Sequence, residues 1–188
     1  MEAYGLEPAE VHRGEGTMIL PYSGKAPNIH PSVFMAPGVH IVGDVAIGQD
    51  SSIWFNSVVR GDVNSVRIGE RTNIQDGCIL HVTHETGSLT IGDDVTVGHG
   101  AILHGCTLAR LCLIGMGAII LDNAEINSYT LVAAGAMVRT RAKFPEGVLL
   151  AGVPARVVRD LTDDERTMIE QSSRWYVEYA REYRQQFA

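Results

Sequence analysis

The chain of 188 residues carries seven histidines and three cysteines, and its acids outnumber its bases, 22 Asp and Glu against 15 Lys and Arg. Three of the histidines lie close in sequence: His81 ends the run CILH, and His99 and His104 bracket HGAILH. Three neutral imidazoles with an open fourth position are what hydration or hydrolytic chemistry asks of zinc, because the ion brings the pKa of bound water down to about 7. A histidine standing alone is more often structural, so the reading turns on whether these three share a site. His12, His30 and His40 have no such neighbours and read as surface or capping residues. Cys78, Cys106 and Cys112 are odd in number and lack CxxC spacing, which argues against a disulfide scaffold and against a cysteine-only metal site.

The elements that carry these groups set whether they meet. The length suits a single domain spanning 1–188, and 45% hydrophobic with 20% charged residues is a globular composition. A net charge of -7 disfavours nucleic acid and anionic membranes as partners. No apolar run is long enough for a membrane span, and the first twenty residues lack the pattern of a secretory signal. A soluble, reducing, cytoplasmic setting is expected.

An internal repeat dominates the sequence. Aliphatic anchors recur every sixth residue at Ile29, Met35, Ile41, Ile47, Ile53 and Val59, then at Ile68, Ile74 and Leu80, at Ile91, Val97 and Leu103, and from Leu108 to Val138. Four residues after each anchor stands a small or β-branched residue, as at Val33, Val63, Cys78, Thr107 and Cys112, with His84 the bulky exception. Glycine directly follows several anchors, at Gly48, Gly69, Gly92, Gly98 and Gly115. One short strand and one corner per six residues predict a parallel β-helix over about 29–143. The glycine corners follow that period and are not phosphate loops. The period then changes: Thr162 and Glu165 form a capping box, and Met168, Ile169, Ser172, Trp175, Tyr176, Tyr179, Tyr183 and Phe187 recur at helical spacing. These predict a C-terminal helix over about 162–187, packed as a lid on one β-helix face.

The hexad pattern resembles the hexapeptide-repeat proteins. The resemblance implies an all-β fold, a left-handed parallel β-helix with three hexads per triangular coil, here followed by the C-terminal α-helix. On that count Ile41, Val59, Leu80, Leu103, Ile120 and Val138 share one face. The three departures from the six-residue step, Val59 to Ile68, Leu80 to Ile91 and Leu103 to Leu108, all follow this face. Irregularities stacked at one corner are where a solenoid builds a site. Arg60, His81 and His104 follow the anchors there, and coils about 4.8 Å apart put the two histidines side by side. His99 belongs to another face. A trimer of triangular prisms would bring it from a neighbouring chain, so the expected metal site is His81 and His104 of one subunit with His99 of the next.

The segments VVRGDVNSVRIGERTNIQDGCILHVTH and TVGHGAILHG resemble the γ-class carbonic anhydrase family, in its short bacterial branch, with RGD, NIQDG and the paired histidine motifs in the family's order. The resemblance covers nearly the whole chain. It implies a homotrimer with zinc, iron or cobalt on His81, His99 and His104 at the subunit interfaces. It assigns Arg60 and Asp62 to the interface and the approach of bicarbonate, Asn73, Gln75 and Asp76 to surroundings of the metal-bound hydroxide, and Tyr176 to a tyrosine that leans over the metal. From their places on the faces, Gln75 is expected to orient water or a substrate oxygen, and Asp76 to pair with Arg60 of the neighbour. A purely structural salt-bridge network is the alternative for Arg60, Asp62 and Asp76. The family's acidic proton shuttle is missing: Val63 stands in place of its glutamate and the acidic loop shrinks to HETGS. His84 stands where a shuttle or a further ligand could sit.

Four functions follow as expectations. The first is reversible hydration of carbon dioxide to bicarbonate by metal-bound hydroxide. The others are a metal-dependent acyl esterase or thioesterase, a hexapeptide acyltransferase that uses one histidine as base, and a trimeric scaffold in which the metal only staples the interface.

Overall fold

The computed structural model describes residues 14–186, and both His12 and Phe187 lie outside them. Short parallel strands stack into a β-solenoid of about seven coils with three faces. Register fixes the faces: Ile41, Val59, Leu80, Leu103, Ile120 and Val138 stack on one, Ile29, Ile47, Ile68, Ile91, Leu108 and Ile126 on the second, and Met35, Ile53, Ile74, Val97, Ile114, Val132 and Leu150 on the third. These anchors are almost fully buried, apart from the partly buried Ile29, and form one aliphatic column. The stack extends past the hexads read in the sequence, through Met18–Leu20 beside His40–Ile47 and through Val148–Gly152, whose antiparallel partner Ala155–Asp160 ends the sheet.

The expected inward partner of the anchor holds only in regular hexads. Val63, Thr107 and His84 point outward, and Val66, Leu89 and Cys106 are buried in their stead. Residues are added or removed directly after the anchor, so the inward position is fixed two residues before the next anchor. The glycines after anchors also serve a different need from a corner conformation. A Cβ at Gly48 or Gly115 would come within 2.7 Å and 2.4 Å of the backbone of the next coil. The positive φ falls two residues later, at Asp50, Arg71, Asp94, Gly100 and Gly117.

Buried hydroxyls and thiols brace the coils. Ser51 donates to the Gly69 carbonyl, Ser57 to that of Gln75 and Thr72 to that of Gly92, each at 2.8 Å, and the Cys78 thiol reaches the Gly98 carbonyl at 3.2 Å.

The helix α1 (Asp163–Gln186) starts on the expected capping box. The Glu165 amide donates to Thr162 Oγ1 at 3.2 Å, and the Thr162 amide donates to the Glu165 carboxylate at 2.9 Å. It lies along the third face. Tyr176, Ala180 and Tyr183 meet Phe34, Trp54 and Phe55, and Ile169 is buried beside Leu111 and Leu161. Met168, Trp175 and Tyr179, placed by their spacing on the packed stripe, are 40%, 45% and 44% exposed instead.

Candidate metal centre

His81 and His104 end the strands Ile79–His81 and Ile102–His104 and stand opposite one another in the ladder. Alternation does the positioning: Leu80 and Leu103 point into the core, so the next residue points out. Their rings converge, with Nδ1 of His81 3.1 Å from Nε2 of His104. Each ring's other nitrogen meets a carboxylate. His81 Nε2 lies 3.0 Å from Asp62 Oδ1, and His104 Nδ1 lies 2.9 Å from Asp122 Oδ1. A carboxylate accepts only, so a ring that carries its proton on the outer nitrogen donates it to the carboxylate and turns a lone pair toward the same point.

Two facing lone pairs repel; the carboxylates holding the outer nitrogens offset that cost, and a cation between the pair would turn it into attraction. Ligands about 2.0–2.1 Å from one tetrahedral ion stand roughly 3.3 Å apart, close to the separation seen here. The donor set therefore fits a transition metal, with the supporting carboxylates that metal-bound histidines generally have.

Electrostatics around the pair favour a neutral His81 ring and charged Asp62 and Asp122 carboxylates. Burial holds the His81 imidazole below its ordinary pKa, outweighing the pull of Asp62. Burial would raise the Asp62 carboxyl, yet its hydrogen bonds to His81 and Arg60 hold it below the usual range. Asp122 is likewise lowered, with Thr83 and His104 outweighing its burial. Arg60 ion-pairs with Asp62 within the chain.

His99 stands on the third face, its Nδ1 2.6 Å from Asp76 Oδ2, with both side chains nearly half exposed. Among the described residues of one chain, no three metal-capable side chains come together. Asp76, expected to meet a neighbour's Arg60, is paired with its own chain's His99. Gln75, expected to orient water, is buried, and its amide donates to Asn73 Oδ1 at 3.2 Å. Asn73 in turn donates to Thr96 Oγ1 at 2.9 Å, and Thr96 meets Ser172 of the helix at 3.0 Å. These two amides support the third face under the helix. Tyr176 is half-buried against Trp54, and burial together with the nearby Asp76 charge pushes its hydroxyl up to about 12. His84 is exposed at the tip of the Thr83–Gly87 turn. The other two described histidines cap locally, His30 on Ser32 and His40 on the Gly38 carbonyl, each at 2.8 Å.

Asp122 and Thr83 were not singled out by the sequence. Asp122 follows an ordinary anchor, Ile120, and its tie to His104 becomes visible only once Leu121 is stacked one coil beyond His104.

The fold and paired rings define a hexapeptide-repeat β-solenoid with a histidine site on one face. Among curated proteins, the chain is 49% identical to the carbonic anhydrase of Geobacillus kaustophilus over 167 residues, which is 89% of this chain and 91% of that one. It belongs to the γ-class carbonic anhydrase family. It is also 40% identical to the mitochondrial gamma carbonic anhydrase 2 of Arabidopsis thaliana, matching over 94% of this chain but spanning only 65% of the plant protein's length. A crystal structure from Bacillus cereus, provisionally named an acetyltransferase, superposes with a TM-score of 0.89 at 46% identity over 91% of this chain and 99% of that one. No family model matches the chain.

Proposed function

We propose that the protein is a homotrimeric metalloenzyme that interconverts carbon dioxide and bicarbonate at its subunit interfaces. The observation that carries this reading is the pair of ring nitrogens 3.1 Å apart, each ring held by its own carboxylate. His81 and His104 would hold the ion from one subunit and His99 from the next. Zinc, iron(II) or cobalt(II) suits such imidazole donors. When bound, the ion supplies the Lewis acidity that makes water nucleophilic near neutral pH.

Support for the trimer comes from the outer surface of the histidine face. Val58, Ile79, Ile102, Ile119 and Met137 stack there in register, an apolar ladder running alongside the pair, with Ile79 47% exposed; His40 stands between this ladder and Met18 at its end. Burying such a ladder against a second copy favours association.

The remaining roles belong to side chains. Arg60, held by Asp62, presents a cation beside the pair, suited to steering and orienting bicarbonate. Asp76 fixes the His99 ring, and Tyr176 with Trp54 lines the third face with aromatic surface that limits water near Asp76. His84 replaces the missing acidic shuttle as the group that passes protons to solvent. Three unpaired, buried thiols accord with a reducing cytoplasm, and no described helix is long and apolar enough to cross a membrane.

The acetyltransferase name of the Bacillus cereus structure keeps acyl chemistry as a second reading. Isotope exchange between carbon dioxide and bicarbonate, measured on metal-loaded and chelator-treated protein, separates the two. Exchange lost on chelation is the expected result. Metal-loaded protein without exchange overturns the first reading, and release of free thiol from acetyl-CoA would then support the second.

A further inference from the structure

The three places where the repeat departs from six residues are bonded to one another, and Asp122 is where they converge. The nine-residue step contributes Asn64, whose side-chain amide donates to the Thr83 carbonyl at 3.1 Å. The eleven-residue step contributes Thr83, clasped to Gly87 by a two-way backbone bridge, and its hydroxyl donates to Asp122 Oδ1. The five-residue step contributes Gly105, at φ +54°, where a Cβ would lie 2.7 Å from Asp122 Oδ1 and 3.1 Å from the Gly87 carbonyl oxygen. Two insertions thus deliver a hydroxyl to Asp122, and one deletion clears the space that its carboxylate occupies.

We infer that Asp122, steadied by Thr83, is a positioning residue that fixes His104 with its proton on Nδ1. A neutral imidazole carries one ring proton, and the partner of one nitrogen decides which nitrogen is free to bind a ligand. Asp122 accepts from Nδ1, so Nε2 keeps its lone pair turned toward His81. His81 is arranged in the opposite sense: Asp62 holds Nε2 and Nδ1 is free. The two rings therefore offer unlike nitrogens to one point, and each needs its own carboxylate for this to hold. In metal-free protein without Asp122, the His104 proton is free to move to Nε2, which removes that nitrogen as a ligand. The consequence for metal affinity rests on the three-histidine reading above; the tautomer does not.

Two measurements test this on the full-length protein. Nitrogen-15 NMR of metal-free protein, above the pH at which the rings are charged, should show His104 protonated at Nδ1 in the wild type and shifted toward Nε2 in Asp122→Asn. Competition with a chromogenic chelator should show zinc affinity lowered about 10- to 100-fold in Asp122→Asn. Thr83→Val should move both readouts in the same direction by less, and Thr83→Ser should restore them, which a merely structural role would not do. Should Asp122→Asn fail to fold, the Thr83 pair decides. Wild-type affinity together with an unchanged Nδ1 proton in Asp122→Asn would overturn the inference. Wild-type protein that takes up no zinc would count against the metal reading alone, and the NMR measurement would still decide the role of Asp122.

Discussion

His99 directs Nδ1 to its own chain's Asp76 at 2.6 Å, which leaves Nε2 for a ligand supplied from elsewhere, since the His81–His104 pair stands on a different face. The proposed division of the site between subunits makes a sharp genetic prediction. His99→Ala alone, and His81→Ala/His104→Ala together, should each give trimers that bind no metal. Refolding the two variants as a mixture should restore one intact site in every mixed trimer, because cyclic symmetry leaves one interface with the pair on one side and His99 on the other. Elemental analysis of the separated trimers checks this. Mixed trimers without metal would rule out the shared site.

The bracing hydroxyls predict opposite effects at two buried positions. Ser57 donates to the Gln75 carbonyl at 2.8 Å and accepts from the Cys78 amide at 3.2 Å, whereas the fully buried Thr130 hydroxyl has no partner among the described residues. Ser57→Ala should destabilise by about 1–3 kcal/mol, because it leaves a buried amide unsatisfied. Thr130→Val keeps the shape and removes an unpaired polar group, so it should be neutral or stabilising by up to about 1–3 kcal/mol. Urea midpoints at matched protein concentration decide between these signs, and a Thr130→Val loss comparable to that of Ser57→Ala would refute the argument.

These contrasts follow how the sequence encodes the fold. The anchors were legible because an aliphatic residue every six positions can satisfy only a stack of short strands, and the faces followed from counting three anchors per coil. Val63 and Thr107 were misplaced because counting forward from an anchor fails wherever residues are inserted or deleted directly after it. His81 and His104 were legible since each follows an anchor on the irregular face. Asp122 was not, because nothing local marks it: its partners Thr83 and His104 lie 39 and 18 residues away. A usable signal did exist in the five-residue step at Gly105, which shows that something near His104 needs room. Met168, Trp175 and Tyr179 share the helical period of the packed stripe, but their angular positions carry them to its outer side.

The three thiols should be inert in the folded protein. Burial pushes Cys78, Cys106 and Cys112 each up to about 12. The thiolate is the reactive form, and almost none of it exists at pH 8. Intact-mass analysis after iodoacetamide treatment at that pH should find no adduct on native protein and three after denaturation in urea. Rapid labelling of Cys78 without unfolding would show that the coil between Ile74 and Leu80 opens.

Glu165 gives the helix a defined acid limit. Its carboxylate is held at about 2, chiefly by the Arg159 guanidinium at 2.7 and 2.8 Å and then by the Thr162 amide. The unfolded chain would release that proton near pH 4.3. A carboxyl that is more acidic when folded adds stability that is complete above the unfolded pKa and disappears as pH falls through the folded one. The advantage of wild type over Glu165→Gln should therefore be constant from pH 7 to 5, shrink below about 4.3, and vanish near 2. The ion pair lies at the surface, with Arg159 exposed and Glu165 partly so, and the advantage should therefore also fall with added salt. Thermal midpoints of both proteins by circular dichroism, taken across that range at two ionic strengths, provide the check. A difference that persists unchanged at pH 2 would mean that Glu165 acts through its hydrogen-bonding shape and that its charge on Arg159 contributes nothing to docking the helix.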